Sequence, residues 1–145
     1  NKTGYTMSPK KPPKVELTLP IIPDLELAAT KTAEVVAKHM NLDEEKSAEI
    51  GMALIEATIN AFEHSGSDSE NVEIHFVIQG DTLVIKVTDK GKGFDPSKVK
   101  IPNIEEKLRS DKKRGWGLKL IQELMDTVEF ESTPEGTTVT MTKKK

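Results

Sequence analysis

Cysteine is absent from the 145 residues, which excludes both a disulfide framework and a thiolate metal site. An excess of positive charge is absent as well. The formal net charge is −3 and the sequence pI about 5.7, whereas neutralising nucleic-acid phosphates takes clustered Lys and Arg. No apolar run reaches the length that spans a bilayer and none has the pattern of a signal peptide. The expected setting is therefore the cytoplasm, with neither membrane nor nucleic acid as partner. No internal repeat is evident. What is present, 35% hydrophobic and 31% charged residues, suits one globular domain around a single core.

Residues 1–14 are polar, Lys-rich and carry Pro9, Pro12 and Pro13, too little apolar surface to offset the entropy of ordering, and read as a flexible tail. The domain is expected over residues 15–142, with Lys143-Lys144-Lys145 as a solvated basic tail. Val15, Leu17 and Leu19 alternate with polar residues in a short strand that Pro20 and Pro23 end. Asp24 is positioned to cap a helix running to about Met40. A second helix starts near Asp43, whose Lys46 leaves the capping box partial, and runs to about His64 before Ser65-Gly66-Ser67. Ala48, Met52, Ile55, Ile59 and Phe62 form its expected core side. Beside them, Glu49, Ala53, Glu56, Asn60 and His64 form a stripe where small alanines leave room for something to lie against polar groups.

Val72, Ile74, Phe76 and Ile78 alternate with polar residues, and Gly80-Asp81 turns the chain into Leu83, Ile85 and Val87, a hairpin with one buried face. Extending that alternation by two residues points Asp89 inward, where an unpaired carboxylate would cost roughly several kcal/mol, so a polar partner is implied. From Phe94 to Arg114 the chain is charged and irregular, a length of loop that is usually functional or disordered. Leu118 to Met125 reads as a helix opened by Gly115 and Gly117. Two further strands, Val128 with Phe130 and Val139 with Met141, are joined by Pro134-Glu135-Gly136. This order predicts an α+β fold: a two-layer α/β sandwich whose mixed, mostly antiparallel sheet carries its helices on one face.

Glu56 and Asn60, four residues apart, share one helix face. Each alone is an ordinary surface substitution. Together, beside small alanines, they fit a solvated helix face and a phosphoryl-transfer pair about equally, the latter because an amide oxygen can ligate Mg²⁺ and a carboxylate one turn earlier can take a proton from an attacking hydroxyl or water. Inward Asp89 can accept a hydrogen bond from an adenine amino group, while Gly91 and Gly93 let the backbone approach the ring. Gly115 and Gly117 at a helix start present free N–H groups and the positive dipole end to a polyphosphate, with Lys112, Lys113 and Arg114 adding charge. Trp116 fits either packing of that helix start or stacking on a ligand.

Other chemistries lack their residues. No helix directly follows Gly91-Lys92-Gly93, and Leu120 occupies the third glycine of a dinucleotide fingerprint begun at Gly115. There is no Gly-Lys-Ser/Thr of a P-loop. His39 and His75 fall on solvent sides, three scattered histidines without cysteine make no zinc site, and Ser65, Ser67 and Ser69 have no base nearby.

Taken together, Glu56-Ala57-Thr58-Ile59-Asn60-Ala61, Asp89-Lys90-Gly91-Lys92-Gly93, Arg114-Gly115-Trp116-Gly117-Leu118 and Gly136-Thr137-Thr138 resemble the nucleotide-binding boxes of the GHKL (Bergerat-fold) ATPase superfamily, over roughly Asp24 to Thr142. Glu-Ala-x-x-Asn-Ala followed by His64 looks most like the anti-sigma-factor serine/threonine kinases of bacterial partner switching. The resemblance implies an ATP site between sheet and helices, with Glu56 as general base and Asn60 holding Mg²⁺. Asp89 would bind adenine beside Gly91, Gly93 and Thr137. Gly115, Gly117 and Leu118 would hold the phosphates, Arg114 would meet the γ-phosphate, and Phe94–Arg114 would form a lid. It also implies phosphorylation of a serine on a small anti-anti-sigma-like protein, sequestration of a sigma factor or other regulator, and a homodimer. Where members of that group carry a basic contact on the first helix, this chain offers Lys31. The alternatives are the ATP-binding module of a sensor histidine kinase and a non-catalytic ATP-binding scaffold.

Overall fold

The computed structural model describes residues 11–65, 69–90 and 112–145, with side chains in the last segment described from residue 117. Five strands form one sheet in the order β1-β2-β3-β5-β4: β1 Lys14–Pro20, β2 Asn71–Gln79, β3 Thr82–Asp89, β4 Thr127–Thr133 and β5 Gly136–Lys144. Every neighbouring pair is antiparallel. Among the described residues three helices accompany the sheet: α1 Glu26–His39, α2 Glu44–His64 and α3 Lys112–Leu124. The α+β class expected from the element order is the one observed.

Alternation along the strands builds the core. Leu19, Val72, Ile74, Phe76, Leu83, Ile85, Val87 and Met141 turn inward and are buried in one cluster with residues of all three helices. The opposite face is polar and carries threonine pairs such as Thr88 with Thr138, 3.2 Å between hydroxyl oxygens, and Thr127 with Thr142. At the hairpin, Gln79 pairs with Thr82 and Gly80 takes φ +60°, the glycine that a two-residue turn of this twist demands.

The second helix packs differently from its hydrophobic pattern. Its buried residues are Ile50, Gly51, Ala53, Leu54, Ala57, Thr58 and Ala61. Of the expected core side, Met52 is 51% exposed, Ala48 is exposed, and Ile55, Ile59 and Phe62 are only half-buried. The reason is that α2 contacts α1, α3 and the sheet, so its buried face is rotated from the expected stripe: Ile50 and Leu54 turn inward beside the small Gly51, Ala53, Ala57 and Ala61, and Met52 turns outward. At the α1–α2 crossing a Cβ added to Gly51 would already touch Thr30 Cγ2 at 3.4 Å.

The helix starts divide. Asp43 caps α2 as expected, its carboxylate accepting from Lys46 N–H at 2.8 Å. Asp24 does not cap α1. It lies in the left-handed region at φ +77°, one residue before the cap position at Leu25, and contributes its backbone carbonyl to Leu27 N–H instead. Helix α3 is already formed at Lys112, so Gly115 and Gly117 lie inside the helix rather than ahead of it. The basic tail is also corrected. Lys143 and Lys144 belong to β5, and Lys143 is buried because its inward register carries it between α2 and the end of α3.

Candidate functional site

A cleft opens between the helical layer and the sheet. Helix α2 contributes Ala57, Asn60, Ala61 and His64; β3 contributes Val87 and Asp89; α3 contributes Leu118 and Ile121; β4 and β5 contribute Phe130, Thr137 and Val139. Two residues chosen from unrelated sequence signals, Asn60 and Asp89, therefore line the same space.

Asp89 occupies the last position of β3 and is 6% exposed. The period-two alternation that buries Leu83, Ile85 and Val87 also turns it inward, and its register partner is Thr137 on β5. The Thr137 hydroxyl lies 3.1 Å from Ser132 Oγ across the β4–β5 pair. Gly136 holds this corner together. At φ +153° it approaches β3 so closely that an added Cβ would fall 2.0 Å from the Asp89 carbonyl oxygen.

Next to the cleft residue Asn60, Gly117 of α3 sits against α2. A Cβ there would lie 2.7 Å from Glu56 Oε2, 3.5 Å from Asn60 Nδ2 and 3.8 Å from Asn60 Oδ1. The absent side chain thus lets the α3 backbone come up to the carboxylate–amide pair. The Asn60 Nδ2 atom is buried without a hydrogen-bond partner among the described residues. A buried amide with unmet bonding capacity is costly in a finished core and suited to a site that completes itself with a ligand. The amide carries both a donor nitrogen and an acceptor oxygen, so its chemistry fits either an acceptor atom or a hard cation. Among the described residues no group of three or more His, Cys, Asp or Glu could hold a metal ion.

Of the remaining sequence candidates, Leu118 lines the cleft and Thr137 stands beside Asp89. Gly115 and Arg114 lie in α3, where no side-chain position is described before residue 117. Gly91, Gly93 and the Phe94–Arg114 stretch up to residue 111 lie outside the described residues. Lining residues not chosen beforehand are Ala57, Ala61, His64, Val87, Ile121, Phe130 and Val139. His64 was already visible on the Glu56–Asn60 stripe, and Phe130 by its inward alternation. No described helix is long and apolar enough to cross a membrane.

Comparison with known proteins shows what the chain is similar to. The family model described as "Histidine kinase-like ATPase domain" matches residues 23–143. A serine-protein kinase RsbW of Oceanobacillus iheyensis is 32% identical over 124 residues, covering 81% of this chain and 78% of that protein. An anti-sigma F factor of a Thermoanaerobacter species is 36% identical over 102 residues, 68% of this chain and 71% of that protein. Among solved structures, the RsbU and RsbW domains of Rv1364c from Mycobacterium tuberculosis share the fold with a TM-score of 0.68 at 20% identity. That match covers 91% of this chain and 32% of the other.

Proposed function

Because the chain belongs to the histidine kinase-like ATPase domain family, we propose that it is an ATP-dependent protein serine kinase and nucleotide-gated binding switch of the anti-sigma-factor type. Its substrate on this reading is a serine of a small anti-anti-sigma-like protein, and its second partner a sigma factor or comparable regulator. Relatives named serine-protein kinase and anti-sigma F factor support the assignment. The observation that carries it is the shared cleft: Asp89, Thr137 and Asn60 line one space, and Gly117 brings the α3 backbone against Asn60 and the neighbouring Glu56.

Asp89 accepts a hydrogen bond from the exocyclic amino group of adenine, which an ionised carboxylate does and a guanine carbonyl would repel. Val87, Ile121, Phe130 and Val139 give the base apolar walls. Asn60 is the residue that would hold Mg²⁺, and the N–H groups of the first α3 turns face the phosphates with the positive end of that helix. When bound, Mg-ATP supplies a transferable γ-phosphoryl group with its charge partly neutralised. Glu56 takes the proton of the attacking serine hydroxyl, a role that contributes about 10²–10⁴-fold to rate.

The test is incubation of the protein with γ-labelled ATP, Mg²⁺ and a candidate anti-anti-sigma-like protein. Label on a serine of the partner is the expected result. Nucleotide binding without label on any candidate partner would favour a regulatory scaffold.

A further inference from the structure

Lys143 is buried, 6% exposed, and has no part in the site described above. Its ammonium donates to the backbone carbonyl of Leu124, the last residue of α3, and stands 3.3 Å from Glu49 Oε1 on α2. The contact is placed at the negative end of the α3 dipole, where a cation satisfies a carbonyl that the helix leaves unpaired. A backbone bond and a side-chain bond already join the following turn to β5, from Asp126 N–H to the Thr142 carbonyl at 2.9 Å and from Lys144 N–H to the Asp126 carboxylate Oδ2 at 2.6 Å. Lys143 extends that tie to α2.

The spacing connects this tie to the cleft. Glu49 and Glu56 lie seven residues apart on one face of α2, and Gly117 and Leu124 lie seven residues apart on α3. At 1.5 Å per residue each separation is about 10 Å. The two helices therefore meet at matched heights, running antiparallel: Glu49–Lys143–Leu124 at one level and Glu56–Gly117 two turns away. A slide of α3 along α2 that broke the first contact would equally displace Gly117 from Glu56 and Asn60. An aliphatic side chain of the same length would pack at position 143, and a buried ion pair is a weak source of net stability. What the ammonium adds is one directed hydrogen bond to the α3 terminus and one ion pair to α2.

We propose that Lys143 is a positioning residue for the phosphate end of the cleft, fixing α3 on α2 so that Gly117 stays in register with Glu56 and Asn60. The inference rests on the functional reading above. The adenine end should be insulated from it, since Thr137 lies six residues away on β5, about 20 Å along the strand.

The test compares wild type with Lys143→Met, Lys143→Arg and the milder Glu49→Gln, by amide hydrogen exchange of the free protein and by titration with Mg-ATP and ADP. In Lys143→Met, α3 amides from Leu118 to Leu124 should exchange at least tenfold faster while β2 and β3 keep wild-type rates. Mg-ATP affinity should fall about tenfold with ADP affinity within twofold, and Lys143→Arg should restore both. Glu49→Gln should show the same pattern more weakly and serves if Lys143→Met does not fold. Wild-type exchange in α3, an equal rise across the whole protein, or equal losses for both nucleotides would overturn the proposal. Wild-type protein that binds neither nucleotide would contradict the functional reading instead, and the exchange rates would then judge the tie by themselves.

Discussion

Gly117 lies so close to Glu56 that a methyl group on its Cα would stand 2.7 Å from the Glu56 carboxylate oxygen. The contact is with the far end of a flexible side chain, so Gly117→Ala is expected to displace Glu56 rather than unfold the protein. Alanine is the better helix former by roughly 1 kcal/mol, and α3 should gain part of that. Stability and function are thus expected to move in opposite directions. Calorimetric melting should show an equal or higher Tm, and the initial rate of phosphoryl transfer should fall at least tenfold. A lower Tm with unchanged rate would contradict the geometry at this contact.

Gly136→Ala should behave in the contrary way. Its added Cβ would meet the Asp89 backbone oxygen at 2.0 Å, and φ +153° is strained for any L side chain. Backbone strain and overpacking together predict a loss of about 2–5 kcal/mol. Urea unfolding should show this as a lower midpoint with little change in slope. A midpoint within error of wild type would mean that the β3–β5 corner is looser than described.

Glu56→Ala separates binding from chemistry. Glu56 stands at the α2–α3 contact and is not among the residues lining the adenine end. Nucleotide affinity should stay within a few-fold of wild type while transfer falls by about 10²–10⁴. Unchanged turnover would remove Glu56 from the mechanism.

The residues that were readable in the sequence are those whose position follows from local periodicity. Alternation through Leu83, Ile85 and Val87 carried Asp89 to the inner face, and the four-residue spacing of Glu56 and Asn60 set them on one side of α2. Asp43 was legible because a cap depends on the next three residues. What was not legible depends on neighbours distant in the chain. Met52 looks like core until contacts with α1, α3 and the sheet rotate the buried face of α2 away from it. Lys143 looks like a solvated end until β5 brings it beneath Glu49 and the α3 terminus. Gly117 looks like a helix breaker, yet it is helical, and its reason is a carboxylate sixty-one residues earlier.

The claim on which the rest depends is that Asp89 and Asn60 serve opposite ends of one nucleotide, and titration calorimetry tests it most directly. Wild-type protein should release heat on binding Mg-ATP. Asp89→Asn removes a charged acceptor whose hydrogen bond contributes about 1.5–3 kcal/mol, so its affinity should drop at least tenfold with or without Mg²⁺. Asn60→Ala should lose affinity only when Mg²⁺ is present. No heat of binding in the wild type, or an Asp89→Asn variant that binds Mg-ATP as tightly as wild type, would contradict the account.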